Sequence, residues 1–184
     1  MNFKKHSGLE GAHAFLSPSK YHWINYDDEK LGIVYWNWLA AQRGTELHDF
    51  AKRCINLRIK LPKTNSTLNM YVNDAIGYRM TPEQGLFYSE NCFGTADAIS
   101  FDKNFLRIHD LKTGMTKPSF SQLEAYAAIF CLEYDVDPRK IDGEFRIYYS
   151  NDKMIQPYDP ERIIYISDKI VSFDKQIDKM KAEW

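Results

Sequence analysis

Apolar residues recur at two different periods along this chain, and the change falls near its middle. From Asp28 to Gln42, Leu31, Val34, Tyr35, Trp38 and Leu39 follow the i, i+3, i+4, i+7, i+8 stripe of an amphipathic helix. Arg43-Gly44-Thr45 breaks that stripe. Thr45 then predicts the cap of a second helix reaching about Ile59, patterned by Leu47, Phe50, Ala51, Cys54, Ile55 and Arg58. Pro62 ends it, Lys63 to Thr67 reads as a polar loop, and Leu68 to Met80 reads as a third helix. Upstream, residues 1–15 show no period and read as an arm or loop. Ser17-Pro18-Ser19 reads as a short helix start, with Ser17 at the cap and Pro18 at the first position.

Beyond Met80 the period shortens to two. Gly85 to Phe93 and Thr95 to Phe101 alternate like strands, Asp102-Lys103-Asn104 reads as a turn, and Phe105 to Leu111 as the next strand. Phe120 to Glu133 reads as a helix started by Ser119 or Ser121, and Pro138 lies in a loop. Glu144 to Ser150 and Arg162 to Ile166 read as two more strands, and Ser167 to Lys181 as a closing helix. Helices, three strands, a helix, two strands and a helix predict an α/β (α+β) fold. In it a central mixed β-sheet is flanked by helices, with a helical N-terminal part. At 184 residues the chain is expected to form a single domain, 1–184.

Composition narrows the function classes only a little. A net charge of −1 supplies no global attraction for nucleic acid, so such contacts must be local or aided by cations. Cys54, Cys92 and Cys131 are far apart, which argues against a zinc ribbon or a four-cysteine iron–sulfur cluster and for reduced thiols. The first residues lack an apolar core, and no run approaches the ~20 apolar residues of a membrane helix. A cytoplasmic protein with no membrane contact is expected.

The chemistry concentrates in Gly94-Thr95-Ala96-Asp97 and Asp110-Leu111-Lys112-Thr113-Gly114. Strand residues two apart share a face, so Asp110 and Lys112 point one way while Leu111 and His109 point the other. The Asp102-Lys103-Asn104 turn folds the preceding strand back and brings Asp97 toward Asp110. Two facing carboxylates repel, and a Mg²⁺ or Mn²⁺ ion between them removes that cost. A lysine beside such an ion can orient a water molecule or take its proton, an arrangement suited to phosphodiester hydrolysis.

These segments, with Gln122-Leu123-Glu124-Ala125-Tyr126-Ala127 after them and Leu16-Ser17-Pro18-Ser19 and Gly44-Thr45-Glu46-Leu47-His48 before them, resemble the ordered motifs of PD-(D/E)XK nucleases. The RecB-like branch, which includes phage exonucleases and CRISPR adaptation nucleases, is the most similar. The resemblance runs from Leu16 to Ile166 and implies a restriction-endonuclease-like core. It implies that His48, Asp97, Asp110 and the backbone carbonyl of Leu111 bind the metal and that Lys112 is the catalytic lysine. Gln122, Tyr126 and Thr113 would support the site or touch the nucleic-acid backbone. The iron–sulfur cysteines of many members are missing, and no helicase segment is present. The implied activity is a Mg²⁺- or Mn²⁺-dependent deoxyribonuclease acting as an exonuclease on duplex ends or single strands in phage-type recombination, replication or repair. The setting would be a bacterial or phage-infected cell, and the enzyme would form a homo-oligomer or pair with a strand-annealing or helicase partner. Alternatives are an RNA or DNA endonuclease of the same fold, or a catalytically silent nucleic-acid-binding or inhibitory module.

The residues themselves allow plainer roles. His48, on a helix among apolar neighbours, could be a hydrogen-bonded partner instead of a ligand. Gln122 and Tyr126 could pack the helix on the sheet. Glu46 reads as a helix-start acid and Glu90 as a surface acid. Lys52, Arg53, Arg58, Lys60 and Lys63 form either a phosphate-facing patch or a solvated face, and Lys20, Arg43 and Lys117 lie nearer the motifs.

Overall fold

The computed structural model describes residues 7–9, 14–114 and 118–183. Lys117 and most of the predicted arm at 1–15 lie outside them. Two compact units are present, Met1–Arg43 and Gly44–Trp184. The first holds a 3₁₀ helix, Pro18–Asn25, with Pro18 in its first turn as expected. Ser17 does not cap it with its side chain. Its hydroxyl pairs with Ser19 at 2.9 Å, and its carbonyl accepts the Trp23 indole N–H at 3.0 Å. Phe15, Tyr35 and Trp38 pack ring to ring at 5.1–5.7 Å in the same unit.

The two helices predicted on either side of Arg43-Gly44-Thr45 are one, α1 (Asp28–Leu57). A helical glycine costs about 1 kcal/mol against alanine. That is too little to stop a helix flanked by Ala40, Ala41 and Gln42 on one side and Glu46 and Leu47 on the other. Glu46 is therefore mid-helix and exposed, not a helix-start acid, and the Asp27 carboxylate accepts the Lys30 N–H at the true start. Helix α2 (Thr67–Gly77) follows.

The second unit is built on a five-stranded mixed sheet in chain order, β1 (Thr81–Ser89), β2 (Cys92–Asp102), β3 (Phe105–Leu111), β4 (Asp142–Tyr149) and β5 (Asp152–Pro157). All neighbours are antiparallel except β3 and β4, which run parallel through the crossover helix α3 (Ser121–Glu133). Gly143 lets β4 come close to β3, because a Cβ there would overlap the Leu106 carbonyl.

Three expected boundaries shift. The first strand starts at Thr81, and the turn after it is Glu90-Asn91, inside the stretch Gly85–Phe93 expected to be one strand. Gly94 lies inside β2, where it makes room for the Tyr126 ring. The predicted strand Arg162–Ile166 belongs to α4 (Pro160–Ala182). Its Ile-Ile-Tyr-Ile run mimics a strand, but Asp159 caps the Glu161 and Arg162 N–H groups and Pro160 presets the first turn. The fifth strand is instead polar and at the sheet edge. It is reached through Ser150-Asn151, both with positive φ, a two-residue hairpin turn.

Helices cover both faces of the sheet. Leu123 and Ala127 of α3 and Ile163 of α4 pack on Leu86, Leu106, Ile108, Phe145 and Ile147. On the other face Ala51, Cys54 and Ile55 of α1 and Tyr71, Val72 and Ala75 of α2 pack on Ala98, Leu111 and Tyr148. Among the described residues, no helix is long and apolar enough to cross a membrane.

Candidate metal centre

The β2–β3 hairpin turns at Lys103-Asn104, both in the left-handed region, and its register pairs Ala98 with His109. One step further along that antiparallel register, Asp97 faces Asp110. The Asp97 Oδ2 accepts the Leu111 backbone N–H at 2.8 Å, which ties the two strand ends together through the carboxylate itself. Asp110 is 4% exposed. Its Oδ1 accepts the Lys112 ammonium at 3.0 Å, and its buried Oδ2 has no hydrogen-bond partner. Lys112 also donates to Gln122 Oε1 at 2.8 Å, and Gln122 Nε2 donates to the Tyr126 hydroxyl at 3.3 Å, one turn along α3.

His48 reaches the site from α1. Its Nδ1 lies 3.6 Å from Asp97 Oδ2 and 3.7 Å from Glu83 Oε1. Ligand atoms of His48, Glu83 and Asp97 all lie within 4.8 Å of one another, close enough to share one cation. Asp110 adjoins this triad without belonging to it.

Two glycines explain how the elements converge. A Cβ at Gly44 would lie 2.8 Å from the Thr113 Oγ1, so glycine lets α1 lie against the exit of β3, with His48 one turn further along. A Cβ at Gly94 would lie 3.0 Å from the Tyr126 ring, so glycine lets α3 approach β2. The four sequence segments therefore interlock in pairs, Gly44 with Thr113 and Gly94 with Tyr126.

The electrostatics match this crowding. Burial pushes the Asp97 carboxyl up to about 6, with the facing Asp110 raising it further and His48 and the Leu111 N–H opposing. Burial likewise raises Asp110, while Lys112 and His48 pull it down. The buried Tyr71 hydroxyl beneath the cluster is raised by burial first and then by Asp97, Glu83 and Asp110. Such a group of carboxylates is suited to take up positive charge.

No family model, curated protein or solved structure matches the chain.

Glu83 is the residue that sequence reasoning missed. It stands in β1, between register pairs Pro82–Ala98 and Gln84–Ala96, beside Asp97. Its φ is 51°, and among the described residues it is the one non-glycine residue inside a strand with a positive φ. Backbone strain of this kind concentrates at functional sites. Glu90 sits in the exposed β1–β2 turn. His109 points away from the carboxylates, as its alternation predicted. It is fully buried against Tyr148 and Tyr78 and is lowered to about 3 by burial and then by Arg146, so it is neutral. It belongs to a network in which Tyr148 and Arg146 donate to Asp74 at 2.7 and 3.1 Å. Lys52, Arg53, Arg58, Lys60 and Lys63 are exposed on α1 and the loop after it, and Lys20 and Arg43 are exposed in the first unit.

Proposed function

We propose that this chain is a divalent-metal-dependent nuclease of the PD-(D/E)XK type, hydrolysing phosphodiester bonds of DNA from an end to leave 5′-phosphates. The observation that carries the reading is the pair of half-buried Asp97 and buried Asp110, facing each other across a hairpin with Lys112 hydrogen-bonded to one and His48 beside the other. A structural ion pair would need one acid for the lysine. The second acid, the unpartnered Asp110 Oδ2 and the adjoining Glu83 leave negative charge without a cation. Mg²⁺ or Mn²⁺ fits that donor set, and the imidazole of His48 tilts the preference toward Mn²⁺. His48, Glu83, Asp97 and Asp110 would hold it, with the Leu111 carbonyl that the motif implies.

A bound cation of this kind lowers the pKa of water and shields phosphate charge. The remaining work falls to the chain. Gln122 and Asp110 hold the Lys112 ammonium from two sides, and Tyr126 holds Gln122. That fixed ammonium orients the attacking water and stabilises charge developing on the phosphate oxygens. The Leu111 N–H keeps Asp97 turned into the site.

The test is equal incubation of the full chain with labelled linear DNA, circular DNA and RNA in Mn²⁺, and again in chelator. The reading expects linear DNA to be degraded and chelator to abolish it. Strong RNA cleavage with inert DNA would move the substrate to RNA, and binding without cleavage in either metal would favour a silent binding module.

A further inference from the structure

A cavity of about 410 Å³, lined in part by Lys112, adjoins the carboxylate cluster, and the metal chemistry does not use it. It is lined by Leu111 and Lys112 at the exit of β3, Leu47 of α1, Leu68 of α2 and Tyr149 at the end of β4. Asn151, in the β4–β5 turn, lines it too. Its backbone N–H donates to the Thr67 hydroxyl at 2.8 Å, which clamps the turn to the start of α2. The walls are thus fixed by the sheet, two helices and a hydrogen-bonded turn. The volume falls within the range of about 300–1,000 Å³ typical of small-molecule sites. The lining suits a flat, partly apolar group with polar edges: leucine side chains, a tyrosine ring, and hydroxyl and amide groups at the rim.

Lys112 belongs both to the carboxylate cluster and to the wall of this cavity. A phosphodiester seated at the carboxylates would lie next to this cavity, which shares Lys112 with them. We infer that the cavity receives the unpaired nucleoside flanking the scissile phosphate, which makes the substrate a single strand or a frayed duplex end. This rests on the nuclease reading above. A base in a stacked duplex cannot enter, because it must first leave its partner and its neighbours. An unpaired base pays less and gains a ring contact of the kind that every base offers.

The experiment uses the full chain with Mn²⁺ and two kinds of diester. One is a single-stranded oligonucleotide carrying one abasic unit at a known position. The other is bis(p-nitrophenyl) phosphate, which has no base to place. Cleavage at one phosphate beside the abasic unit is expected to fall at least about tenfold, while the phosphates between the starting end and that unit are cut as before. In Ser66→Trp, an exposed position at the mouth, the indole fills the cavity. This variant is expected to lose about tenfold or more on the intact oligonucleotide and to keep its rate on bis(p-nitrophenyl) phosphate. If both diesters are cleaved and neither the abasic unit nor Ser66→Trp changes anything, the cavity proposal is overturned and the nuclease reading stands. If wild type cleaves neither diester, both fall together.

Discussion

Replacing Asp97 by asparagine should make the metal-free protein more stable, the reverse of what altering a half-buried hydrogen-bonding residue normally does. In the folded chain this carboxyl is raised to about 6 from its ordinary 3.8, first by burial and then by Asp110. A folded-state pKa above the unfolded one means that the folded state holds the proton more tightly. Below pH 3.8 both states are protonated and nothing is lost. As pH rises through 6 the folded state loses that advantage, and above it the cost is complete. At about 1.4 kcal/mol per pH unit the cost approaches 3 kcal/mol at pH 8. Asparagine keeps an oxygen for the Leu111 N–H, so the hydrogen bond survives while the charge goes. Asp97→Asn should therefore exceed wild type by roughly 1–3 kcal/mol at pH 8 in chelator, and the gap should close by about pH 4. For a chain of this size that is about 3–10 °C in Tm. Mn²⁺ at a hundredfold excess over the wild-type Kd should narrow or reverse the gap, because it adds about 2.7 kcal/mol to wild type and less to the variant, which has lost a ligand. Urea unfolding at a series of pH values, with chelator and then with Mn²⁺, measures all of this. A variant no more stable than wild type at pH 8, or a gap that does not change with pH, would refute the reasoning.

Glu83→Gln should weaken Mn²⁺ binding measured by calorimetry about tenfold or more, since it removes one of three clustered ligands; unchanged affinity would take Glu83 out of the site. Gly44→Ala places a Cβ 2.8 Å from Thr113 Oγ1 and should lower cleavage, and adding Thr113→Ala should recover it by removing the clashing oxygen. A double variant no better than the single one would show that this contact does not position His48. Gly143→Ala should destabilise the fold by roughly 1–3 kcal/mol or more in urea, because the new methyl meets the Leu106 backbone and not a side chain that can turn aside.

How much of this was legible in the chain follows from which signals are local. The strand Phe105–Leu111 and its turn were readable because alternation and turn residues agree, and that hairpin alone sets Asp97 opposite Asp110. Gly44 lies where the helix stripe breaks, and Gly94 lies between the two expected strands. Each serves a close approach by a distant segment, Thr113 for one and Tyr126 for the other, and nothing local reports that. At Arg162–Ile166 the β-branched run outweighed the Asp159-Pro160 start signal, although the latter decides the structure. Glu83 was beyond reach. Its place beside Asp97 depends on the β1–β2 register and on its own positive φ, neither of which leaves a mark in the sequence.

The most direct test of the central claim is Mn²⁺-dependent cleavage of linear DNA by wild type and Lys112→Ala side by side, with Mn²⁺ affinity titrated in both. The account predicts that the variant stays folded, binds Mn²⁺ as wild type does and cleaves about 10²–10⁴-fold more slowly. Equal cleavage by the two proteins would contradict it.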